Sequence, residues 1–294
     1  MTSRREHLDS LAISLLLACC LFWGFQQVLI KATLPLVPPM VQGCVRFLGA
    51  TVLLMLWCVW RRIPLWQSDG SLGAGVVAGL LFALEFVCIY TGMQVTTASR
   101  LTIMLYTAPF WLALLLPIWL RHERLRPLQW VGLSLAFSGV AFALRDSLST
   151  GGSWLGDVLS LSAGAAWGLT TVVLRTTALS RVSAEKLLFY QVGVSAAVLP
   201  LVALAMGESF TLDYPTLGWA SLALQSALGA FVTFLIWMWM ISHYPATQVS
   251  AFSFLSPLSA LVFGALWLGE PVTADLIIAM VGVGLGIYLV NRRR

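Results

Sequence analysis

The chain has 294 residues, of which 59% are hydrophobic and 10% are charged, and its formal net charge is +5. Soluble domains average about 45–50% apolar and about 25% charged residues, so this composition excludes a soluble protein. Most of the chain must lie in a lipid bilayer, where the position of each charge along the chain matters more than the net charge.

Ten apolar runs follow one another along the chain, each close to the roughly 20 residues that a helix needs to cross the hydrocarbon. They cover approximately residues 11–33, 40–60, 72–93, 98–119, 128–146, 155–178, 185–206, 215–242, 246–268 and 272–291. The connections between them are too short for a separate soluble domain. The sequence therefore predicts an all-α integral membrane protein with ten transmembrane helices, numbered in chain order.

Basic residues concentrate on one side of these predicted spans. With the N-terminus in the cytoplasm, the cytoplasmic segments contain Arg4, Arg5, Arg61, Arg62, Arg121, Arg124, Arg126, Arg181, Lys186, Arg292, Arg293 and Arg294. The outer loops that hold Glu208, Asp213, Glu270 and Asp275 contain no Lys or Arg. The positive-inside rule therefore predicts that both termini are cytoplasmic.

The two halves of the chain carry the same landmarks in the same order. The matching positions are Trp23-Gly24 with Trp167-Gly168, Lys31 with Arg175, Pro109 with Pro257, Glu123 with Glu270, and Gly139 with Gly286. Each half contains five spans, and because five is odd the second half enters the membrane from the opposite side. We predict two inverted repeats, residues 1–150 and 151–294. Inverted repeats are typical of secondary transporters, and a duplication retained only for packing is the alternative.

Several segments of the chain resemble the EamA-type branch of the drug/metabolite transporter superfamily. They are FWGFQQVLIK at 22–31, Arg46-Phe47, the segment 96–132, and its second copy at 244–277. His122-Glu123 departs from the Gly-Glu pair that is usual in the family. The resemblance covers nearly the whole chain. It implies a ten-helix exporter of small metabolites with a central cavity between helices 1, 3, 4, 6, 8 and 9.

Within that branch the chain is most similar to the bacterial aromatic amino-acid exporters. This similarity implies a multi-pass protein of a bacterial-type inner membrane that works as a monomer. The expected partners are a small-molecule substrate and the lipid bilayer, with no nucleic acid, and no cofactor or metal is expected.

Ionisable residues inside a membrane are costly and require an explanation. Glu85, in the middle of helix 3, is the only carboxylate far from every predicted boundary. It could bind a substrate amine or take up a proton, or it could be a protonated or hydrogen-bonded packing residue. Arg46 and Arg100 could bind a carboxylate. Structural pairing or snorkelling is favoured for both, because Arg100 is near the outer boundary and the resemblance places the helix of Arg46 outside the cavity.

Central aromatic and polar side chains complete the predicted substrate site. The aromatic candidates are Trp23, Tyr90, Tyr106, Trp167, Trp237, Trp239 and Phe254. The polar candidates are Gln26, Gln27, Ser99, Thr170, Thr171, Gln248 and Ser253. An apolar cavity with aromatic walls and a few polar groups suits an amphipathic metabolite, although the same residues could serve helix packing. Pro109 and Pro257 are predicted gating hinges, with kinks that only shape the bundle as the alternative.

Other function classes fit the sequence less well. A P-loop needs Gly-Lys-Ser/Thr, and neither Lys31 nor Lys186 follows a glycine, so nucleotide hydrolysis by this chain is excluded and an ATP-driven pump is disfavoured. The sequence contains no recognisable catalytic motif that would indicate a membrane enzyme. A channel would need a continuous polar path, whereas the polar residues of the predicted spans are few. We expect a secondary transporter that exports amphipathic metabolites, amino acids foremost, by alternating access. The alternative is an exporter of cationic drugs, because Glu85 beside aromatic rings is also a cation site.

Overall fold

The computed structural model describes residues 7–145, 153–211, 213–268 and 274–292, and within these residues the chain crosses the bundle ten times. The uninterrupted helices are α1 (Ser10–Thr33), α2 (Pro39–Arg61), α3 (Leu72–Gly92), α5 (Pro127–Ala143), α6 (Trp154–Thr176), α7 (Ala184–Ala205) and α10 (Ala274–Asn291). Three spans are interrupted: α4 (Ala98–Leu105 and Ala108–Trp119), α8 (Thr216–Leu224, the π-helical Gln225–Val232 and Thr233–His243) and α9 (Ala246–Ala251, the 3₁₀ turn Phe252–Phe254 and Leu255–Leu268). The ten-helix prediction is confirmed.

Hydropathy and exposure identify the surface that faces lipid. Eight helices of the described chain have the length and apolar composition to cross a membrane, and α5 and α10 contain shorter apolar helices. Large apolar side chains point outward, with Val59 and Leu266 78% and 77% exposed. Exposed Trp60, Trp66 and Trp154 lie near helix ends, where membrane proteins place aromatic belts. The chain is a multi-pass membrane protein.

Several helices begin at a side chain that caps the first turn. The Asp9 carboxylate accepts a hydrogen bond from the Ala12 amide at 2.9 Å, and Ser153 caps α6 in the same way. Ser183 caps α7, and α2 begins with Pro39, whose missing N–H needs no partner there. Because the hydrocarbon offers no hydrogen bonds to a free helix end, these caps define where each span begins.

The main helix contacts run between the two halves. Helix α5 packs on α10, and α2 packs on α7. Helices α3 and α4 pack on α6, and their counterparts α8 and α9 pack on α1. Helix α3 also packs on α7, and its counterpart α8 packs on α2. Exchanging the halves converts each contact into another of the same set. This is the pattern of an inverted repeat with a pseudo-twofold axis in the membrane plane, and it confirms the predicted architecture.

The glycines of the two Trp-Gly pairs allow close helix contacts. A side chain at Gly24 would collide with Ser259 on α9, and a Cβ at Gly168 would lie 2.7 Å from the Cβ of Trp111 on α4. Small residues let helix backbones approach each other in a membrane, where packing drives association. The glycine in each Trp-Gly pair therefore serves helix packing, at equivalent places in the two repeats.

Helices α4 and α9 are interrupted just before their paired prolines. Pro109 and Pro257 lack the N–H that would bond the carbonyl four residues earlier, so the α-helical ladder cannot continue unchanged. The two segments of α4 are separated at Tyr106 and Thr107. Gly164 of α6 packs against this interruption, where a Cβ would lie 2.8 Å from the Leu105 carbonyl oxygen. The hinge role of the two prolines stays a prediction.

Candidate substrate cavity

A cavity of about 510 Å³ lies between the two repeats. Its volume is within the range of roughly 300–1,000 Å³ that is usual for small-molecule sites. Ten of the predicted substrate-binding residues line it: Trp23, Gln26, Gln27, Glu85, Tyr90, Tyr106, Trp167, Thr170, Thr171 and Trp237. Pro257 also lines the cavity, whereas Pro109 is buried at the start of the second segment of α4.

Four predicted residues lie away from this cavity. Trp239 packs on His243, with ring centroids 4.8 Å apart, and lines a separate crevice. Phe254 is fully buried beside Tyr106, and the Ser253 hydroxyl donates to the Ser250 carbonyl at 2.7 Å.

Gln248 is the fourth of these residues, and it belongs to the first segment of α9. That segment packs against α4 and α10, so its side chains are used in helix contacts rather than in the cavity wall. The side chain of Ser99 lies outside the described residues.

Four aromatic side chains, Trp23, Tyr106, Trp167 and Trp237, form a continuous aromatic wall. Ring centroids are 5.0 Å apart for Trp23 and Trp237, 6.5 Å for Trp237 and Trp167, and 5.8 Å for Trp167 and Tyr106. The indole N–H of Trp23 donates to the Thr233 hydroxyl at 2.8 Å. Because this N–H is satisfied inside the protein, the ring can offer apolar surface to a ligand.

The π-helical segment of α8 lies beside the aromatic wall. Gln26 of α1 places its side-chain oxygen against Gly229, in the middle of that segment. The Thr233 hydroxyl donates to the Gly229 carbonyl at 2.6 Å. Single π turns within α-helices occur often at functional sites. Helix α3, the counterpart of α8, has no such segment, so the pseudo-symmetry of the two halves is broken at this point.

Several polar groups of the cavity already have partners in their own helices. The Thr170 hydroxyl donates to the Ala166 carbonyl at 2.8 Å, and the Thr171 hydroxyl donates to the Trp167 carbonyl at 3.3 Å. Both oxygens retain the capacity to accept hydrogen bonds from a ligand. Gln191 of α7, which the sequence did not single out, also lines the cavity. Its amide nitrogen lies 3.0 Å from the Met238 sulfur.

Glu85 and Arg46 are the buried charges of the cavity, with 6% and 4% of their surfaces exposed. They interact electrostatically, but the described residues include no ion pair between them. Oε2 of Glu85 and Nε of Arg46 are buried without a hydrogen-bond partner, and the Tyr90 hydroxyl lies close enough to the Arg46 guanidinium to interact with it. The expectation that Arg46 lies outside the cavity is therefore wrong. The sequence could have indicated this position, because an arginine within the membrane is favoured near an opposite charge and Glu85 is the carboxylate in the middle of a predicted span.

The Arg46 guanidinium lies among three rings of a phenylalanine cluster, Phe47, Phe82, Phe86 and Phe234. Its carbon is 5.4 Å from the centroid of Phe47, 5.2 Å from that of Phe86 and 5.3 Å from that of Phe234. Cation–π attraction of this kind stabilises a guanidinium where water is scarce. The cluster therefore accounts for a charged arginine without a carboxylate in contact with it.

Arg100 has the structural partner that the sequence analysis favoured. Its Nε lies 3.1 Å from one carboxylate oxygen of Asp157, and its Nη2 lies 2.5 Å from the other. This bidentate pair joins the start of α4 to the start of α6. Arg100 does not line the cavity, and its pairing with Asp157 confirms the structural interpretation.

The cavity lining reaches the helix ends at one face of the bundle, whereas a buried ion pair lies near the other. We call the face at which α1 begins and α10 ends the terminal face. At the opposite face the cavity reaches Lys31, Leu34 and Met93. Toward the terminal face, Arg175 forms a buried ion pair with Glu123 and donates to the carbonyls of Ile241 at 2.5 Å and Tyr244 at 3.2 Å.

The profile of the EamA-like transporter family matches residues 10–145 and again 154–292. The transporter YoaV of Bacillus subtilis, itself uncharacterised, is 24% identical over 93% of this chain and 94% of its own. An Escherichia coli protein named "Probable amino-acid metabolite efflux pump" is 26% identical over 91% of this chain and 90% of its own.

One crystal structure has the same fold, with a TM-score of 0.82 over 98% of this chain and 100% of its own, at 16% sequence identity. The repeated profile match covers both halves of the ten-helix bundle, and on this ground the chain belongs to the EamA-like transporter family.

Proposed function

We propose that this transporter exports small amphipathic metabolites, amino acids foremost, by alternating access through the central cavity. The observation that carries the proposal is the composition of the cavity: an aromatic wall and two opposite charges that form no ion pair line the same volume of about 510 Å³. An amino acid offers a matching apolar side chain, ammonium and carboxylate. The name of the Escherichia coli relative supports the same substrate class.

The charge distribution supports an inner-membrane orientation with both termini in the cytoplasm. In that orientation the Glu123–Arg175 ion pair closes the cytoplasmic end, and the cavity opens to the outside. Export then requires a second state in which this pair separates and the opposite end closes. We propose that the two repeats bend relative to each other at the interruptions of α4 and α9, next to Pro109 and Pro257.

The direct test is counterflow in proteoliposomes that contain the purified protein. We expect preloaded unlabelled tryptophan or methionine to drive saturable uptake of the labelled compound, and a panel of amino acids to compete. The lipid-facing variant Leu266→Ala is the matched control and should transport like the wild type. Strictly linear flux, or flux equal to that of empty vesicles, contradicts a carrier of amino acids.

Export of cationic compounds is the second candidate, and the Glu85 carboxylate in an aromatic cavity favours it. The same vesicles distinguish the two candidates. If a lipophilic cation without a carboxylate competes better than every amino acid, the cation exporter is the correct assignment. Competition mainly by amino acids supports the first proposal.

The energy source can be tested through Glu85 in the same assay. A proton-coupled exporter needs a group that gains and loses a proton during the cycle, and Glu85 is the candidate in the cavity. Efflux by Glu85→Gln, measured at several pH values, is expected to lose the pH dependence that the wild type shows. An unchanged rate and an unchanged pH profile contradict a proton role for Glu85 and favour transport driven by the substrate gradient.

A further inference from the structure

Two opposite charges that face one cavity without joining are an unusual arrangement in a membrane protein. Arg46 comes from α2 and Glu85 from the neighbouring α3, and the two side chains line the same cavity. A buried charge that is not in contact with an opposite charge is costly. A ligand with both charges would compensate Arg46 and Glu85 together, whereas a ligand with one charge would leave the other residue uncompensated.

The phenylalanine cluster holds the guanidinium in place. Phe86 packs on Phe47 with centroids 4.7 Å apart and on Phe82 at 5.0 Å, and Phe82 packs on Phe234 at 5.7 Å. Three of these rings, Phe47, Phe86 and Phe234, lie against Arg46, and the four rings form one contacting cluster, so the guanidinium is positioned before a ligand arrives. A positioned guanidinium binds a carboxylate through two parallel hydrogen bonds.

The aromatic wall continues directly from this cluster. The centroids of Phe234 and Trp23 are 5.9 Å apart, and Trp237 follows at 5.0 Å from Trp23. The cavity therefore has a charged part on α2 and α3 and an aromatic part on α1, α4, α6 and α8. A molecule with adjacent opposite charges and an apolar side chain has the same division.

We propose that Arg46 and Glu85 form a subsite that selects zwitterionic α-amino acids, a refinement that rests on the proposed export function. Arg46 binds the α-carboxylate, Glu85 binds the α-ammonium, and the aromatic wall binds the side chain. An amine without a carboxylate leaves Arg46 uncompensated, and an acid without an amine leaves Glu85 uncompensated. A hydrogen bond to a charged group corresponds to about 10- to 100-fold in affinity.

The test uses three compounds that share one indole ring: tryptophan, tryptamine without the carboxylate, and indolepropionate without the amine. Each competes with labelled tryptophan in counterflow. In the wild type we expect tryptophan to compete about 10- to 100-fold better than either analogue. If either analogue competes as well as tryptophan in the wild type, the proposal is overturned without recourse to any variant.

The variants assign the two charges to the two residues. Arg46→Met should lose the preference for tryptophan over tryptamine and keep the preference over indolepropionate, and Glu85→Gln should do the reverse. Arg46→Lys, which keeps the charge without the planar fork, should restore part of the first preference. Arg61→Met, at an exposed arginine outside the cavity, is the matched control and should rank the compounds like the wild type.

The outcomes separate the refinement from the function on which it rests. If the wild type shows no saturable amino-acid counterflow, the proposed function fails. If it does show counterflow but Arg46→Met and Glu85→Gln rank the three compounds like the wild type, only the zwitterion subsite fails. A single monodisperse peak in size-exclusion chromatography shows that a variant is folded. If a variant does not give this peak, the competition of the three compounds in the wild type alone tests the zwitterion subsite.

Discussion

The buried charges Glu123 and Arg175 contact each other near the terminal face, whereas Glu85 and Arg46 face the central cavity without an ion pair. Both pairs join separate helices or loops, and all four residues are at most 6% exposed. They differ in what surrounds the arginine. Arg175 has a carboxylate and the carbonyls of two further residues, whereas Arg46 has the faces of three phenylalanine rings.

This difference separates a structural pair from one that is available to a ligand. In the Glu123–Arg175 pair each charge compensates the other, so removal of either partner leaves an isolated buried charge. In the cavity neither Glu85 nor Arg46 depends on the other in this way. Mutation of the first pair should therefore lower stability as well as disturb the closing of the cavity, whereas mutation of the second should affect mainly transport.

The largest expected effect on stability is at Arg175. Arg175→Met should lower the unfolding free energy by about 3–5 kcal/mol, because Glu123 stays buried without a partner. Thermal unfolding in detergent micelles measures it. In a double-mutant cycle, Glu123→Gln combined with Arg175→Met should cost less than the sum of the single variants. Additive losses would show that the two side chains do not stabilise each other.

A smaller effect is expected at a pair outside the membrane. Lys186 Nζ lies 2.8 Å from Asp69, and this ammonium, together with the Ser71 hydroxyl, holds the pKa of the Asp69 carboxyl well below its ordinary value of 3.8. A lowered folded-state pKa means that the stabilisation is present above 3.8 and is lost as the pH falls through the folded-state pKa.

Asp69→Asn should therefore lower the melting temperature at neutral pH and make it less dependent on pH on the acid side. Melting curves recorded from neutral pH downward measure both changes. The carbonyl of Gln67, 2.9 Å from Lys186 Nζ, remains in place and limits the loss. If the melting temperature of Asp69→Asn falls with decreasing pH as steeply as that of the wild type, other carboxyl groups cause the pH dependence.

Arg46→Met should change stability little and transport strongly. Loss of this arginine leaves no ion-paired carboxylate behind, so the unfolding free energy should stay within about 1 kcal/mol of the wild type. Melting temperature and tryptophan counterflow, measured on the same preparation, test the contrast with Arg175. A loss of stability as large as that of Arg175→Met would show that Arg46 is a structural residue.

The smallest effect is expected at the half-exposed pair of Arg145 and Asp275. Their side chains are 46% and 31% exposed, and Nη2 of Arg145 lies 2.6 Å from the Asp275 carboxylate. Exposed ion pairs contribute about 0–1 kcal/mol, so Arg145→Ala should shift the melting temperature only slightly, and less so at high salt. A shift comparable to that of Arg175→Met would contradict burial as the reason for the difference between the pairs.

Some features of the site follow from the sequence because they depend on position along one helix. Trp23 and Trp167 were predicted from their central positions, and both line the cavity. Arg46 and Gln191 were not predicted, because α2 and α7 were expected to lie outside. Which side of a helix faces the cavity depends on its neighbours, and α2 is turned by its packing against α7 and α8.

The Glu123–Arg175 pair illustrates the same limit. Glu123 and Arg175 were each recognised as landmarks of a repeat, but nothing in the sequence indicated that they meet. Their contact requires the loop after α4 to reach the end of α6, next to the connection between α8 and α9. Trp239 and Phe254 show the converse, since their aromatic character suggested the cavity but helix packing uses them elsewhere.

The sequence by itself determined the membrane location, the ten helices and their inverted order, because the bilayer requires long apolar runs and internally satisfied backbones. These requirements act on each segment separately and are therefore visible as repeated apolar runs in the sequence. Only the tertiary structure decided which charges pair and which remain in the cavity. Those outcomes depend on contacts between helices that are distant in sequence. A small rotation of one helix would move a residue from the cavity wall into a helix contact.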